Sequence, residues 1–358
     1  MKDELDAVAA TTARIFEALW STGTEPGDPP YWAPQVWEAL VKAGFTLLPI
    51  PEEHGGAGAS MLEAAVVLRE VGRFGVPVPL METALLAGWL LSATGLAVPA
   101  GPLTAAAPDA MGARRVRGGY VLTGTLSKVP YGHIAENVVV VLPTTPPLVM
   151  SLDPRDWQWV RGRNLCGEPR DSINIEGLFV SEEWAAVVGS DKEINGSELM
   201  IRGALGTSLL IAGAIEAALS ASVSYARERT QFGRPIIAFQ AIQQYLAQMA
   251  AESAAANAAA MSAATNAARN GSPDPIFVGA SKVQAGRSAG IVARLAHQVH
   301  GAIGFTQEHP LHRYTTRLWA WRDEFGNERH WARILGERAL STPGLWDLVT
   351  RDTPGEGT

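Results

Sequence analysis

Four histidines stand close together towards the C-terminal end, at His297, His300, His309 and His312, and metal ligation is the first chemistry such residues suggest. His297 and His300 lie three apart in a helical segment, but no carboxylate stands at a matching position, so the spacing is not that of a metal-ligand set. His309 and His312 flank Pro310 and read as structural or interfacial side chains. A second group is acidic. Asp323, Glu324 and Glu328 could accept a proton, yet they stand among Arg317, Arg322, Arg329 and Arg333, which reads equally as a charged helical face with pairs three and four residues apart. Arg229 closes a long helical segment, where a cation offsets the helix dipole. Cys166 is the single cysteine: it cannot form an internal disulfide, and one thiol cannot build a thiolate metal site, which suits a reducing compartment. The chain carries no Walker loop, no G-x-S-x-G elbow and no Rossmann glycine fingerprint, which disfavours the standard phosphate-cradle enzymes.

The elements that must position these groups can be read from composition and periodicity. With 358 residues, 47% of them apolar or aromatic, only 18% charged and a mean hydropathy of +0.06, the chain is long enough for two or three domains and too oily for disorder. A net charge of -7 without long single-sign runs argues against a nucleic-acid partner. The charge-free stretch 83–108 is interrupted by Gly and Pro, and its helical part, about 81–94, is too short to cross a membrane. No export signal is visible, so the expected location is the cytoplasm. Residues 5–20, 34–43 and 60–74 have helical periodicity, Ser60 and Glu63 form a capping-box pattern, and 46–51 reads as a short extended piece. Between 103 and about 185 the pattern changes to short strands at 120–123, 138–142 and 173–180. Helices return at 198–229, through the alanine-rich 250–268, from Pro275 to about residue 300, and as one last helix over 311–339. The expected plan is an N-terminal helical domain (1–102), a small middle β domain (103–185), a C-terminal helical bundle (186–351) and a loose tail (352–358).

Longer segments carry more information. Tyr225-Ala226-Arg227-Glu228-Arg229-Thr230-Gln231-Phe232-Gly233, continuing through Arg234-Pro235-Ile236-Ile237-Ala238-Phe239-Gln240-Ala241-Ile242-Gln243, resembles a signature of the acyl-CoA dehydrogenase family. Gln298-Val299-His300-Gly301-Ala302-Ile303-Gly304-Phe305 with Glu308-His309-Pro310-Leu311, and Pro51-Glu52-Glu53-His54-Gly55-Gly56-Ala57-Gly58, match two further family motifs. The resemblance covers nearly the whole chain. It implies a mainly α fold with a central β domain, the acyl-CoA dehydrogenase-like α-β-α three-domain arrangement, and FAD at a subunit interface. In that family the residues matching Arg229 and Gln231 contact the pyrophosphate region of a flavin held mainly by the neighbouring subunit. The residue matching Phe232 packs beside it, and the positions matching Gln298 and Gly301 reach the same dinucleotide. A guanidinium offers fixed donors to an anionic diphosphate, so the chemistry is consistent.

The same resemblance exposes losses. The family's Thr-Glu-Pro-x-x-Gly-Ser-Asp segment is replaced by Leu103-Thr104-Ala105-Ala106-Ala107-Pro108-Asp109-Ala110, and its Trp-(Ile/Val)-(Ser/Thr) segment by Leu126-Ser127-Lys128-Val129-Pro130-Tyr131. The family reaction removes an α-proton while hydride leaves the β-carbon for the flavin, and therefore needs a carboxylate facing the flavin. Counting without gaps puts Gly203 at one of the family's two base positions and Phe325 at the other. No catalytic residue is assigned; Glu324 is the alternative if the loop is offset. The resemblance thus implies the base-less subunit of an α2β2 enzyme of the actinobacterial steroid-CoA dehydrogenase type, inactive alone. It would complete the FAD site of a paralogous catalytic subunit that desaturates an acyl-CoA at Cα–Cβ, with room for a bulky acyl group, and delivers electrons to a separate electron-transfer acceptor in fatty acid or steroid side-chain β-oxidation. Two alternatives stand beside it: a self-sufficient homotetramer using Glu324 or a neighbouring acid, and a flavin-free structural homologue.

Overall fold

Local capping sets several of the helix starts in the computed structural model, which describes residues 2–20, 31–108, 111–155, 157–190, 192–306 and 308–341. Asp109, Ala110 and the tail 352–358 lie outside the described residues. Helices α1 (Lys2–Leu19) and α2 (Pro34–Lys42) come first. Helix α3 (Met61–Phe74) opens on the expected capping box, with Ser60 Oγ accepting from the Leu62 amide and Glu63 accepting from the Ser60 amide at 2.9 Å. A π-helical turn, Glu82–Ala87, leads into α4 (Gly88–Thr94). The extended piece expected at 46–51 is instead a run of turns. Its carbonyls are taken up locally: Gly58 N–H donates to Ile50 O at 2.8 Å and Ala59 N–H to Leu48 O at 2.9 Å, so the segment folds back on itself rather than joining a sheet.

Seven strands follow: β1 (Leu103–Ala106), β2 (Met111–Val116), β3 (Gly119–Pro130), β4 (Asn137–Leu142), β5 (Leu148–Leu152), β6 (Arg170–Ser181) and β7 (Ala185–Val187). They form two sheets, ordered β1-β4-β5-β7 and β2-β3-β6. Val138, Val140 and Met150 from the first sheet meet Leu122, Leu126 and Ile175 from the second in a small core of their own. β4 lies inside its sheet, parallel to β1 and antiparallel to β5, and its valines are buried on both faces, which is why it reads as an unbroken apolar run.

The C-terminal helices pack around α5 (Gly196–Glu228), with α6 (Gln240–Asn270) and α7 (Pro275–His300) alongside. Asp274 caps α7 by accepting from the Ile276 amide at 2.7 Å, with Pro275 in the first turn as expected. α5 is long and apolar enough to cross a membrane, but 72% of its most apolar window is buried inside the protein, so it is a core helix. It approaches α3 backbone to backbone: a Cβ on Gly72 would lie 2.1 Å from Leu210 O, and one on Gly213 would lie 2.0 Å from Arg69 O. Only glycine permits that crossing. One continuous core joins Phe16, Leu40 and Leu68 to Leu205, Val292 and Leu318, so the first and last helices share an interior.

The final helix expected over 311–339 is two helices, α8 (Leu311–Asp323) and α9 (Glu328–Ser341). The chain breaks at residues 324–327, where Phe325 and Gly326 take φ of 52° and 85°. That break controls what Glu324 and Phe325 do.

Candidate functional site

The end of α5 is exposed and chemically dense. Arg229 caps the helix, its amide donating to Tyr225 O at 2.8 Å, and Thr230-Gln231 pairs with Arg234-Pro235 in a tight hairpin. The two residues at its tip, Phe232 and Gly233, both have positive φ, as the primed hairpin turns require. That turn pushes Phe232 into solvent at 92% exposure, its edge against Phe239 at 6.1 Å. Arg229 and Gln231 are exposed beside it. The end of α7 lies next to this hairpin because Tyr225 stacks on His300 at 4.5 Å with the rings 24° apart. Gln298 is exposed on the last turn of α7, and Gly301 follows with φ of 63° and open space where a Cβ would stand. The ends of α5 and α7 therefore adjoin, and they carry Arg229, Gln231, Phe232, Gln298 and Gly301 at exposed positions, a shelf made of two helix ends. A guanidinium, an amide and an unobstructed backbone are the donor set an anionic diphosphate takes, so the shelf fits the pyrophosphate of a dinucleotide.

None of those five residues lines a cleft of about 830 Å³ that opens between the sheets and the helices. Its walls come from Ala105 and Ala106 on β1 with Ala107 and Pro108 after it, from Leu126 to Pro130 on β3, and from Trp319, Glu324 and Phe325 at the end of α8. The wall that follows β1 offers no side-chain donor or acceptor among its described residues, and a flavin ring, rich in carbonyl and N–H groups, does not fit that wall by its chemistry.

The two positions that sequence counting aligned with family bases meet in space. A Cβ built on Gly203 would lie 2.1 Å from Cδ1 of Phe325, so the aromatic ring rests directly on the α5 backbone. The turn bearing Phe325 is held from both sides. Trp331 Nε1 donates to Phe325 O at 2.9 Å, and the buried Lys282 Nζ donates to Trp321 O and Arg322 O at 2.7 and 2.9 Å, closing the end of α8. Burial pushes the Lys282 ammonium down to about 7 even with Glu324, Glu328 and Asp323 favouring its charge. Trp321 and Trp331 are core side chains, while Trp319 lines the cleft.

Glu324 does not belong to a surface charge ladder. Arg322 pairs instead with Glu328, and Arg333 with Glu337. With α8 ended at Asp323, Glu324 turns inward, where Arg170 grips it with two N–H donors at 2.6 and 2.9 Å and Asn164 donates a third bond at 2.9 Å. Behind it Glu168 accepts from Trp321 Nε1 at 3.0 Å and lies 3.3 Å from Arg170 and 3.7 Å from Arg317. Burial opposes the Glu168 charge, yet Arg170 and Arg317 outweigh it and hold the carboxyl below its usual range. Two carboxylates and two guanidiniums balance. The space between Met81, Glu82, Leu210 and Trp321 shrinks to about 10 Å³, too little for an acyl chain. No local pattern announces this network, because Glu82, the Glu168-Pro169-Arg170 segment and Glu324 come from distant parts of the chain.

Glu82 completes the network as a neutral acid: burial pushes its carboxyl up to about 8, against the pull of Arg170. The native state then holds a proton that the unfolded chain, titrating near 4.5, has released, so this group's contribution to stability falls as pH rises from about 4.5 to 8. Glu82→Gln removes that loss. Urea denaturation at pH 5.5 and pH 8 is expected to show the variant gaining on the unmodified protein as pH increases; an advantage independent of pH would refute the assignment.

Residues 3–96 match the acyl-CoA dehydrogenase N-terminal domain and residues 198–340 the acyl-CoA dehydrogenase C-terminal domain. The chain is 30% identical over 286 residues to the acyl-CoA dehydrogenase IpdE2 of Mycobacterium tuberculosis, an alignment covering 79% of each protein. In fold it is similar to a chain of the ChsE4-ChsE5 complex from Mycobacterium tuberculosis, with a TM-score of 0.84 and 24% identity over 95% of this chain and 98% of the other. It is also similar to the Tcur3481-Tcur3483 steroid ACAD, with a TM-score of 0.79 and 24% identity over 94% and 97% of the two chains.

Proposed function

The chain belongs to the acyl-CoA dehydrogenase family, and on that premise we propose that it is the base-less subunit of a heteromeric, FAD-dependent acyl-CoA dehydrogenase. The observation that carries this reading is the Phe325 ring seated on Gly203: both aligned base positions lack a carboxylate, and the ring fills the space between them. The shelf supplies the complementary half. Arg229 and Gln231 hold the diphosphate of a flavin carried mainly by a paralogous catalytic subunit, Phe232 packs beside it, and Gln298 with the Gly301 backbone closes the other side. When bound, FAD takes the hydride in the α,β-desaturation of an acyl-CoA. This chain contributes no proton transfer; its residues orient the cofactor and exclude water from the diphosphate.

An α2β2 assembly in the cytoplasm, passing electrons to a separate acceptor, fits this division of labour. Two of the fold neighbours are the ChsE4-ChsE5 complex and the Tcur3481-Tcur3483 steroid ACAD, which supports a paralogous partner and a bulky, steroid-like acyl group. Expressed alone, the chain is expected to purify colourless or insoluble; co-expressed with a paralogue that keeps the Thr-Glu-Pro and Glu motifs, it yields a yellow complex with one flavin per pair. A yellow, active homo-oligomer, or one flavin per chain in the complex, would overturn the reading.

Glu324 lines the cleft, and this favours testing it as a base. Both its oxygens are already engaged by Arg170, so neither is free to face a substrate. Glu324→Gln in the complex is expected to leave turnover per bound flavin within about twofold, whereas loss of a general base lowers it at least 100-fold.

A further inference from the structure

The two halves of the shelf are carried by different helices, and their side chains are useful to a ligand only if the helix ends keep a fixed spacing. Helix ends fray, and Arg and Gln side chains are long, so an unsupported shelf would have to be ordered at the moment of binding. Three rings fill the junction between the two ends. Tyr225, one turn before Arg229, stacks on His300, the residue between Gln298 and Gly301 in the α7 terminus, at 4.5 Å and 24°. His309 meets both edge-on, at 5.9 Å and 85° from Tyr225 and 4.5 Å and 63° from His300.

Each ring is fixed by the backbone. The Tyr225 carbonyl accepts from the Arg229 amide at 2.8 Å, so the ring and the guanidinium share one turn. His300 is 3% exposed, with Nδ1 donating to Ala296 O at 2.8 Å. His309 Nδ1 accepts from the Leu311 amide at 3.2 Å, and its carbonyl accepts from His312 Nδ1 at 2.8 Å. Burial pushes the His300 imidazole down to about 4, so the stack is of uncharged rings at neutral pH.

We propose that Tyr225, His300 and His309 are positioning residues for the flavin shelf, locking the α5 and α7 ends into the single spacing that a dinucleotide bridges. They touch no cofactor in this arrangement; they act through Arg229, Gln231 and Gln298. The proposal rests on the flavin reading above, and its test separates the two.

In the co-expressed complex, the FAD dissociation constant is measured by the rise in flavin fluorescence on dilution, with assembly followed by size-exclusion chromatography. Tyr225→Leu is expected to weaken FAD binding by roughly threefold to tenfold with assembly intact, as loss of an aromatic pair implies. Tyr225→Phe keeps the ring and is expected to stay within twofold of the unmodified complex; a loss as large as that of Tyr225→Leu would assign the effect to the hydroxyl and overturn the role of the stack. His309→Ala, on a half-exposed turn, serves as the second variant if Tyr225→Leu fails to assemble, and is expected to weaken FAD about threefold. FAD affinity unchanged in His309→Ala and in an assembled Tyr225→Leu complex, while Arg229→Ala weakens it, overturns the positioning role alone. Affinity unchanged in Arg229→Ala overturns the flavin reading beneath it.

Discussion

Arg229→Ala in the co-expressed complex weakens FAD binding by roughly 10- to 100-fold, as expected for loss of charge-assisted hydrogen bonds to a diphosphate worth about 1.5–3 kcal/mol. The fold makes this variant a clean one. Arg229 is exposed at a helix C-cap, forms no ion pair among the described residues, and holds its place through backbone bonds, the amide to Tyr225 O and the carbonyl from the Ile236 amide at 2.8 Å, neither of which alanine disturbs. Folding and assembly are therefore expected to survive. Arg229→Lys recovers only part of the affinity, because an ammonium provides charge without the planar pair of donors. Flavin content after desalting, read from the absorbance near 450 nm against protein, gives the result directly, and full retention in Arg229→Ala shows that the family contact is absent here.

Arg170→Met is the most damaging single change expected in the chain. Arg170 is 9% exposed and holds Glu324 through two bonds, while standing 3.3 Å from Glu168. Without it, the buried Glu168 is left with Arg317 at 3.7 Å and the half-buried Glu324 with the bond from Asn164. Removing one partner of a buried ionic set costs about 3–5 kcal/mol, and a lower urea midpoint measures the loss. The loss shrinks at low pH, where Glu168, no longer held charged by Arg170, protonates. Arg170→Met combined with Glu324→Leu is expected to recover a large part of the stability, since an apolar pair carries no desolvation cost; if the double variant is as unstable as the single one, the ionic explanation fails. The change also frees the turn that seats Phe325, linking this stability test to the closure of the base positions.

Much of the helical frame is legible one segment at a time. Ser60 with Glu63, and Asp274 with Pro275, announce helix starts by chemistry confined to a single turn, and the structure uses both. Strands β1, β2, β5 and β7 are harder to read, because Leu-Thr-Ala-Ala is too short and bland, Met111–Val116 places two arginines on a strand, β5 has 5 residues, and β7, with 3, pairs with β5 from beyond β6. The residues of the proposed shelf are picked out by two contiguous motifs, one at each helix end. The contact between Phe325 and Gly203 is not, since each looks unremarkable until the fold brings them together. Glu324 reads as part of a helical charge face only while the helix is taken to continue; the positive φ of Phe325 and Gly326 ends that helix and turns the carboxylate towards Arg170.

The glycine crossing of α3 and α5 has a consequence for synthesis. Gly72 and Gly213 are about 140 residues apart, and a ribosome adding 5–20 residues per second takes roughly 10–30 s to cover that distance. During that interval Val67, Leu68 and Val71, which end in the shared core, have no α5 to receive them. The nascent N-terminal helices are therefore an apolar surface awaiting a distant partner, and a natural client for a chaperone before any second subunit arrives.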